Sequence, residues 1–326
     1  MLPWFSISPC PLFLAPMAGF TDPVFRSLCK RFGADVVVTE FVQSEGLVRG
    51  GERVWEPLEF TEEQRPIGMQ IFGVKPEYME RAAQLIAERL QPDFIDLNFG
   101  CPAVNVVEQN AGAGLLREPE LLEKIAAGVV RAVPGVAVTA KMRIGWSSAE
   151  IVAVDVARRL EGAGVRMITV HGRTRAQGYS GQADWAEISR VAAAVQVPVV
   201  GNGDIRDGAG ALARWRESGV AGLMVGRGAQ GNPWVFAEIK AALAGQPEPV
   251  PPSDAERRAM LCAYASELVA RRAEGREGGT GTDIRWILTR LQPFTRGIAG
   301  GRLLRAGFSS CRTLEDVLRF VGGAQE

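Results

Sequence analysis

The chain has 326 residues, 47% of them hydrophobic, with 37 Lys+Arg against 37 Asp+Glu. That size can bury one large core plus a smaller unit, and the balanced charge advertises no polyanion partner for the molecule as a whole. Cys10, Cys29, Cys101, Cys262 and Cys311 are scattered, with no CxxC pair, which excludes a zinc or disulfide framework and fits a reducing cytoplasm. No signal-peptide pattern is expected, because no Lys or Arg precedes Arg26 and four prolines interrupt the first apolar run. No apolar run is long enough to span a bilayer.

In chain order, Leu12–Ala15 reads as a first strand, ending at Pro16-Met17-Ala18-Gly19. Asp22 and Pro23 cap a helix reaching about Phe32. Ala34–Thr39 and Ile67–Phe72 are the second and third strands, and Glu77–Leu90 is a helix. The fourth strand, Phe94–Leu97, breaks into Asn98-Phe99-Gly100-Cys101-Pro102, where Gly100 permits a close turn and Pro102 stops the strand. Helix Pro119–Val133 leads to a fifth strand, Ala137–Ala140, running into Lys141-Met142-Arg143. Helix Ala149–Gly162 precedes strand Met167–Val170 and His171-Gly172-Arg173-Thr174. Helix Trp185–Val195 precedes strand Val197–Val200 and Gly201-Asn202-Gly203-Asp204. Helix Ala209–Ser218 precedes strand Gly222–Val225 and Gly226-Arg227-Gly228.

Eight short, continuously apolar strands alternating with helices predict a parallel sheet buried on both faces. Eight such units match a (β/α)8 TIM barrel in the α/β class, with a doubly wound sheet as the alternative. The polar motifs all follow strands, which places them on one rim, the catalytic face of a barrel. The barrel is expected over residues 1–245 and a Pro-rich linker over 246–252. A small all-helical unit is expected over 253–326, opened by the capping box Ser253-Asp254-Ala255-Glu256. A helix with Met260, Leu261, Tyr264 and Leu268 on one face, a break at Gly275–Gly281, a helix from about Asp283 and a last one capped at Thr313 complete it. From residue 250 the chain carries 12 Arg and no Lys against nine Asp or Glu. A wholly arginine set of cations suits bidentate phosphate contact, and a solvated helix face explains it nearly as well.

The Gly-rich loops at 201–204 and 226–228 bare backbone N–H groups for a phosphate, with Arg227 adding charge. Lys141, in an apolar strand, is costly unless paired or used. It can neutralise an anionic ring or form a Schiff base. Gln70 donates and accepts, which suits a heteroaromatic edge. His171 is the chain's one histidine, so neither a metal site nor a serine-type triad assembles. These parts fit flavin mononucleotide over an apolar slot at Pro16-Met17-Ala18. A lyase or aldolase with Lys141 as its Schiff-base lysine would use similar ones.

Taken together, the order and spacing of Leu14–Gly19, Met69-Gln70-Ile71, Asn98–Pro102, Lys141-Met142-Arg143, His171–Thr174, Gly201–Asp204 and Gly226–Gly228 resemble the tRNA-dihydrouridine synthases, most of all the bacterial B-type group. The resemblance implies a flavin barrel with a helical tRNA-binding tail. It implies FMN held by Pro16, Met17, Ala18, Gln70, Lys141, His171, Asn202, Gly203, Asp204, Gly226 and Arg227. NADPH or NADH would reduce it. Hydride would pass to C6 of a uridine and a proton from Cys101 to C5. Asn98, Arg143, Arg173 and Arg285 are candidate substrate contacts, and a monomer without membrane or metal is expected. The alternative is a small-molecule flavin oxidoreductase of the dihydroorotate-dehydrogenase or enoate-reductase kind. Where that group carries basic residues, this chain has Ala103, Val104 and Asn105, then Glu108-Gln109, and in the tail Arg285-Trp286-Ile287. These departures raise the expectation of an atypical RNA site.

Overall fold

The computed structural model describes residues 2–274 and 284–322. Nine parallel strands form one sheet: β1 (Leu12–Leu14), β2 (Val36–Val38), β3 (Val42–Gln43), β4 (Ile67–Phe72), β5 (Phe94–Phe99), β6 (Ala137–Arg143), β7 (Ile168–His171), β8 (Val199–Asn202) and β9 (Gly222–Val225). Eight close a ring, because β1 pairs with both β2 and β9, and β2 pairs directly with β4. The short β3 hangs on β4 outside that ring. The predicted (β/α)8 barrel is therefore present. The strands read as apolar runs because their outward side chains pack under helices and their inward ones fill the barrel.

The helices around it are α1 (Pro23–Arg31), α2 (Ser44–Arg49), α3 (Pro76–Leu90), α4 (Val104–Val107), α5 (Pro119–Ala132), α6 (Ala153–Gly162), α7 (Trp185–Ala194), α8 (Gly208–Ser218) and α9 (Val235–Leu243). Asp22 caps α1 by accepting from Phe25 N at 3.0 Å, the bond that a short acidic side chain before Pro makes. The helix predicted from Ala149 starts at Ala153 instead, since Gly145 and Ile151 first form an antiparallel bridge. Trp4 plugs the lower end of the barrel, its ring centroid 5.0 Å from that of Phe94. The Phe94 ring in turn occupies the space above Gly68, where an added Cβ would collide with it.

The tail comprises α10 (Asp254–Glu274), α11 (Ile284–Leu291), α12 (Gly301–Gly307) and α13 (Leu314–Gly322). Its expected capping box forms: Glu256 N donates to Ser253 Oγ at 3.3 Å, and Ser253 N to Glu256 Oε2 at 2.7 Å. The predicted break at 275–281 and the start at Asp283 lie outside the described residues. The tail docks on α1. Asp22 Oδ2 accepts from Tyr264 Oη at 2.9 Å and from Arg290 Nε at 3.2 Å. Phe25 stands edge-on to Phe294 at 6.0 Å.

Candidate functional site

Side chains two apart on a strand share a face. The register sets Gln70 beside Asp96, Asp96 beside Thr139, Asn98 beside Lys141, Arg143 beside His171 and His171 beside Asn202. Alternation thus turns every polar residue of these strands inward, rising towards the C-terminal rim. β5 and β6 run further than their apolar runs suggested, so Asn98, Lys141 and Arg143 are strand residues held by ladder hydrogen bonds.

Pro16, Met17, Lys141, His171, Asn202, Gly203, Asp204, Gly226 and Arg227 line one pocket over the barrel mouth. Tyr179, Arg206 and Met224, which no sequence motif marked, line it too. Ala18 is exposed on the adjoining loop, and Gln70 lies fully buried below. Lys141 is the half-buried strand cation of this pocket. Among the described residues its only hydrogen bond is to Asn202 Oδ1, at 3.2 Å. Burial, then the neighbouring Arg143, pulls its pKa down to about 8, against the opposing pull of Asp96. Burial, followed by Lys141 and three arginines, drives His171 well below the ordinary imidazole value, so it is neutral.

The far end of the pocket is cationic and tightly tied. Asp204, at φ +54°, accepts from Arg173 Nη2 at 2.8 Å and from Ala183 N at 2.8 Å. Burial alone would raise its carboxyl, but those bonds and Arg227 take it below the usual range. Arg227 lies over the Tyr179 ring, 4.5 Å from its centroid.

Cys101 is half-buried at the end of β5. Its N–H donates to Asn98 Oδ1 at 2.9 Å, and its carbonyl accepts from Ala113 N at 3.1 Å. Gly112, at φ +57°, packs against it. A Cβ there would sit 2.9 Å from the Cys101 carbonyl oxygen in a left-handed backbone that side chains avoid. Burial raises the thiol pKa, partly offset by the Ala103 backbone and by Arg143 and Lys141. The thiol therefore stays protonated at neutral pH and can act as an acid.

The expected substrate contacts separate. Asn98 faces the Cys101 loop, beside the pocket. Arg143, 2% exposed, gives hydrogen bonds to the carbonyls of Gly100, Thr174 and Gly178. Arg173, 1% exposed, gives its own to Ser180, Gly181 and Asp204. Both hold loops together, as buried guanidinium groups must if their charge is to be compensated. Arg285 is exposed on α11, outside the pocket lining. A larger cavity of about 310 Å³ lies at the joint with the tail, lined by Asp22, Glu40, Glu59, Arg271 and Arg290 among others. It contains none of the residues singled out as cofactor- or substrate-binding. Among the described residues no cluster of His, Cys, Asp or Glu is arranged to hold a metal, and no helix is long and apolar enough to cross a membrane.

A family described as "Dihydrouridine synthase (Dus)" matches residues 13–321. A probable tRNA-dihydrouridine synthase of Rhodobacter capsulatus is 46% identical over 248 residues, 76% of each chain. The tRNA-dihydrouridine synthase B of Xanthomonas axonopodis pv. citri is 40% identical, over 82% of this chain and 79% of its own. A Mycobacterium tuberculosis relative, again a probable tRNA-dihydrouridine synthase, is 35% identical, over 94% of this chain and 80% of its own. Among solved structures, a 2-naphthoyl-CoA reductase has a TM-score of 0.55 at 10% identity, covering 72% of this chain and 50% of its own. At that identity it speaks for the shared barrel alone.

Proposed function

This chain belongs to the dihydrouridine synthase family and reduces uridine in tRNA, and from that premise we propose that it works with FMN, NADPH or NADH as electron source, and Cys101 as proton donor. The observation that carries the reading is the Cys101 thiol, fixed at its N–H and its C=O and kept protonated by burial, on the rim that also carries the Lys141 pocket.

The residues present fit a flavin. Lys141 is a half-buried ammonium with donors to spare, which an anionic ring system would take. Pro16, Met17 and Met224 give an apolar wall. Gly203 and Gly226 bare backbone at the end where Arg206 and Arg227 supply positive charge, as a phosphate requires. Gln70 keeps one N–H and one lone pair beyond its bonds to Asp96 and Asn98, enough for a ring edge.

When bound, the flavin supplies the hydride that C6 of the uracil receives. The chain's own part is to receive a uracil drawn out of its stack, as enzymes acting on a base in nucleic acid do, and to present Sγ of Cys101 to C5. The thiol proton passes to C5, which saturates the C5=C6 bond and leaves a thiolate. Arg143 and Lys141 lower the cost of that charge. Neutral His171 adds no competing acid.

The test is anaerobic reduction of the flavin-loaded protein with NADPH, followed by unmodified tRNA. The oxidised flavin spectrum returns rapidly and the tRNA gains dihydrouridine. Cys101→Ala keeps the reductive half and slows reoxidation by tRNA at least ~100-fold, the usual order for a lost general acid. Failure to bind flavin, or a reduced flavin that tRNA leaves unoxidised, would overturn the reading.

A further inference from the structure

Beneath the pocket lies a run of hydrogen bonds that ends on the Cys101 loop. Its direction can be worked out from its ends. Gly100 N and Cys101 N only donate, so the atom of Asn98 facing them, at 3.1 and 2.9 Å, is Oδ1. Asn98 Nδ2 then faces Gln70 and donates to Oε1 at 2.8 Å. That leaves Gln70 Nε2 facing Asp96, where it donates to Oδ2 at 2.6 Å. The other oxygen, Oδ1, accepts from Thr139 Oγ1 at 2.6 Å. Both carboxylate oxygens accept, one from Gln70 and one from Thr139, so the sense at the core end agrees with that at the loop end.

We propose that Asp96 is a positioning residue: through Gln70 it sets which way the Asn98 amide faces, and so holds the Cys101 loop in the form that delivers the proton. The assignment of Cys101 as proton donor is its premise. Asp96, Gln70 and Thr139 are at most 2% exposed, so water cannot stand in for a missing link. The desolvation of this buried carboxylate is only partly offset by its bonds to Thr139 and Gln70 and by the charge of Lys141, so burial raises its pKa. The carboxylate's presence at that cost calls for a role beyond stability. With Asp96 gone, only the Asn98 amide still opposes a turned Gln70, and the relay is held from one end instead of two. A turned Gln70 asks Asn98 to accept, which swings the Asn98 NH2 against two backbone N–H groups and releases the loop.

The experiment compares Asp96→Leu and Asp96→Asn in the flavin-loaded full chain. It reads urea stability, hydrogen exchange of the segment 98–103, and kcat and KM for tRNA. Asp96→Leu lowers the urea midpoint, because Gln70 Nε2 and Thr139 Oγ1 lose their acceptor where water cannot replace it. It speeds exchange at Gly100 and Cys101 about tenfold or more, and lowers kcat by about 30-fold with KM within about threefold, the pattern of a lost transition-state arrangement. Asp96→Asn stays near wild type, because its carbonyl still accepts from Gln70 and the Thr139 hydroxyl can turn to accept from its NH2. Unchanged exchange in Asp96→Leu overturns the proposal, and so does an asparagine variant as loose as the leucine one.

A second arm does not depend on the leucine variant folding. Asn98→Asp places acceptors at both ends of one amide, and Gln70 can serve only one. Adding Asp96→Asn restores a single donor sense, now reversed. The pair is therefore more stable to urea than Asn98→Asp alone, whereas simple additivity of the two changes, or a pair that fails to fold, overturns the relay. Exchange and urea need neither tRNA nor turnover, so a failure of Cys101 as proton donor would show separately, as an active Cys101→Ala.

Discussion

Lys141 is an ammonium in the wall of a closed barrel, and its one hydrogen bond among the described residues, to Asn202, does not compensate its charge. Its pKa of about 8 makes ligand binding a proton-linked event. The group is lowered from its ordinary value, so it carries its charge below pH 8 and loses it above. A ring acceptor that takes a hydrogen bond from the ammonium favours the charged form and raises the pKa in the complex. The affinity for the proposed FMN is therefore flat below pH 8 and falls above it, by at most about tenfold per pH unit, because one proton is coupled. Fluorescence titration of FMN between pH 7 and 9.5 checks this, and Lys141→Met binds more weakly with no slope. His171 adds nothing to the profile, since burial and the surrounding cations keep it neutral throughout.

At the scale of elements, the joint between α1 and the tail is centred on one buried carboxylate, flanked by the Phe25–Phe294 contact and the Arg31–Glu267 pair. Asp22 caps α1 with Oδ1 and takes Tyr264 and Arg290 on Oδ2. The ion pair is closed to solvent, with side chains 10% and 7% exposed. Asp22→Ala strands a buried guanidinium, which costs about 3–5 kcal/mol, so the urea midpoint drops and limited proteolysis cuts the tail before the barrel. The sequence predicted that Asp22 would cap a helix, but not the tail partners, which come from 242 and 268 residues further on. The same limit runs through the whole fold. Barrel strands were legible because burial on both faces writes apolar runs. β6 was read three residues short because Lys141 and Arg143 interrupt the apolar signal while keeping the inward parity. The region of β3 and α2 was passed over, since a two-residue strand and a six-residue helix fall below any periodicity window. In the site, Cys101, Lys141, His171 and the two glycine loops stood out by residue type. Gly112 and the Asp96–Gln70–Asn98 relay did not, because their partners are set by register and by a loop folding back.

Across the whole molecule, the charge map bears on how tRNA meets the mouth. The tail's cations are all arginine, and its surplus over acidic residues is matched by a deficit in the barrel. Next to the Cys101 loop the surface of α4 carries no positive charge: Ala103, Val104, Asn105, Glu108 and Gln109 are all exposed, Val104 by 62%. Gln109 spends its amide on Asn105 O and Gln43, within the protein. Under the proposed role of Cys101, a uridine delivered there brings its flanking phosphates to this α4 surface, where Glu108 repels them. On that proposal affinity comes from the arginines of the tail, with few counterions released near the mouth. Val104→Lys with Glu108→Lys should tighten tRNA binding and steepen its salt dependence by about 0.7–0.9 in log–log slope for each further phosphate neutralised. Because the new charges act on docking rather than on the proton transfer, kcat stays unchanged. Binding isotherms at several salt concentrations read the slope directly. An unchanged slope would mean that the RNA approaches Cys101 from the tail side without crossing α4.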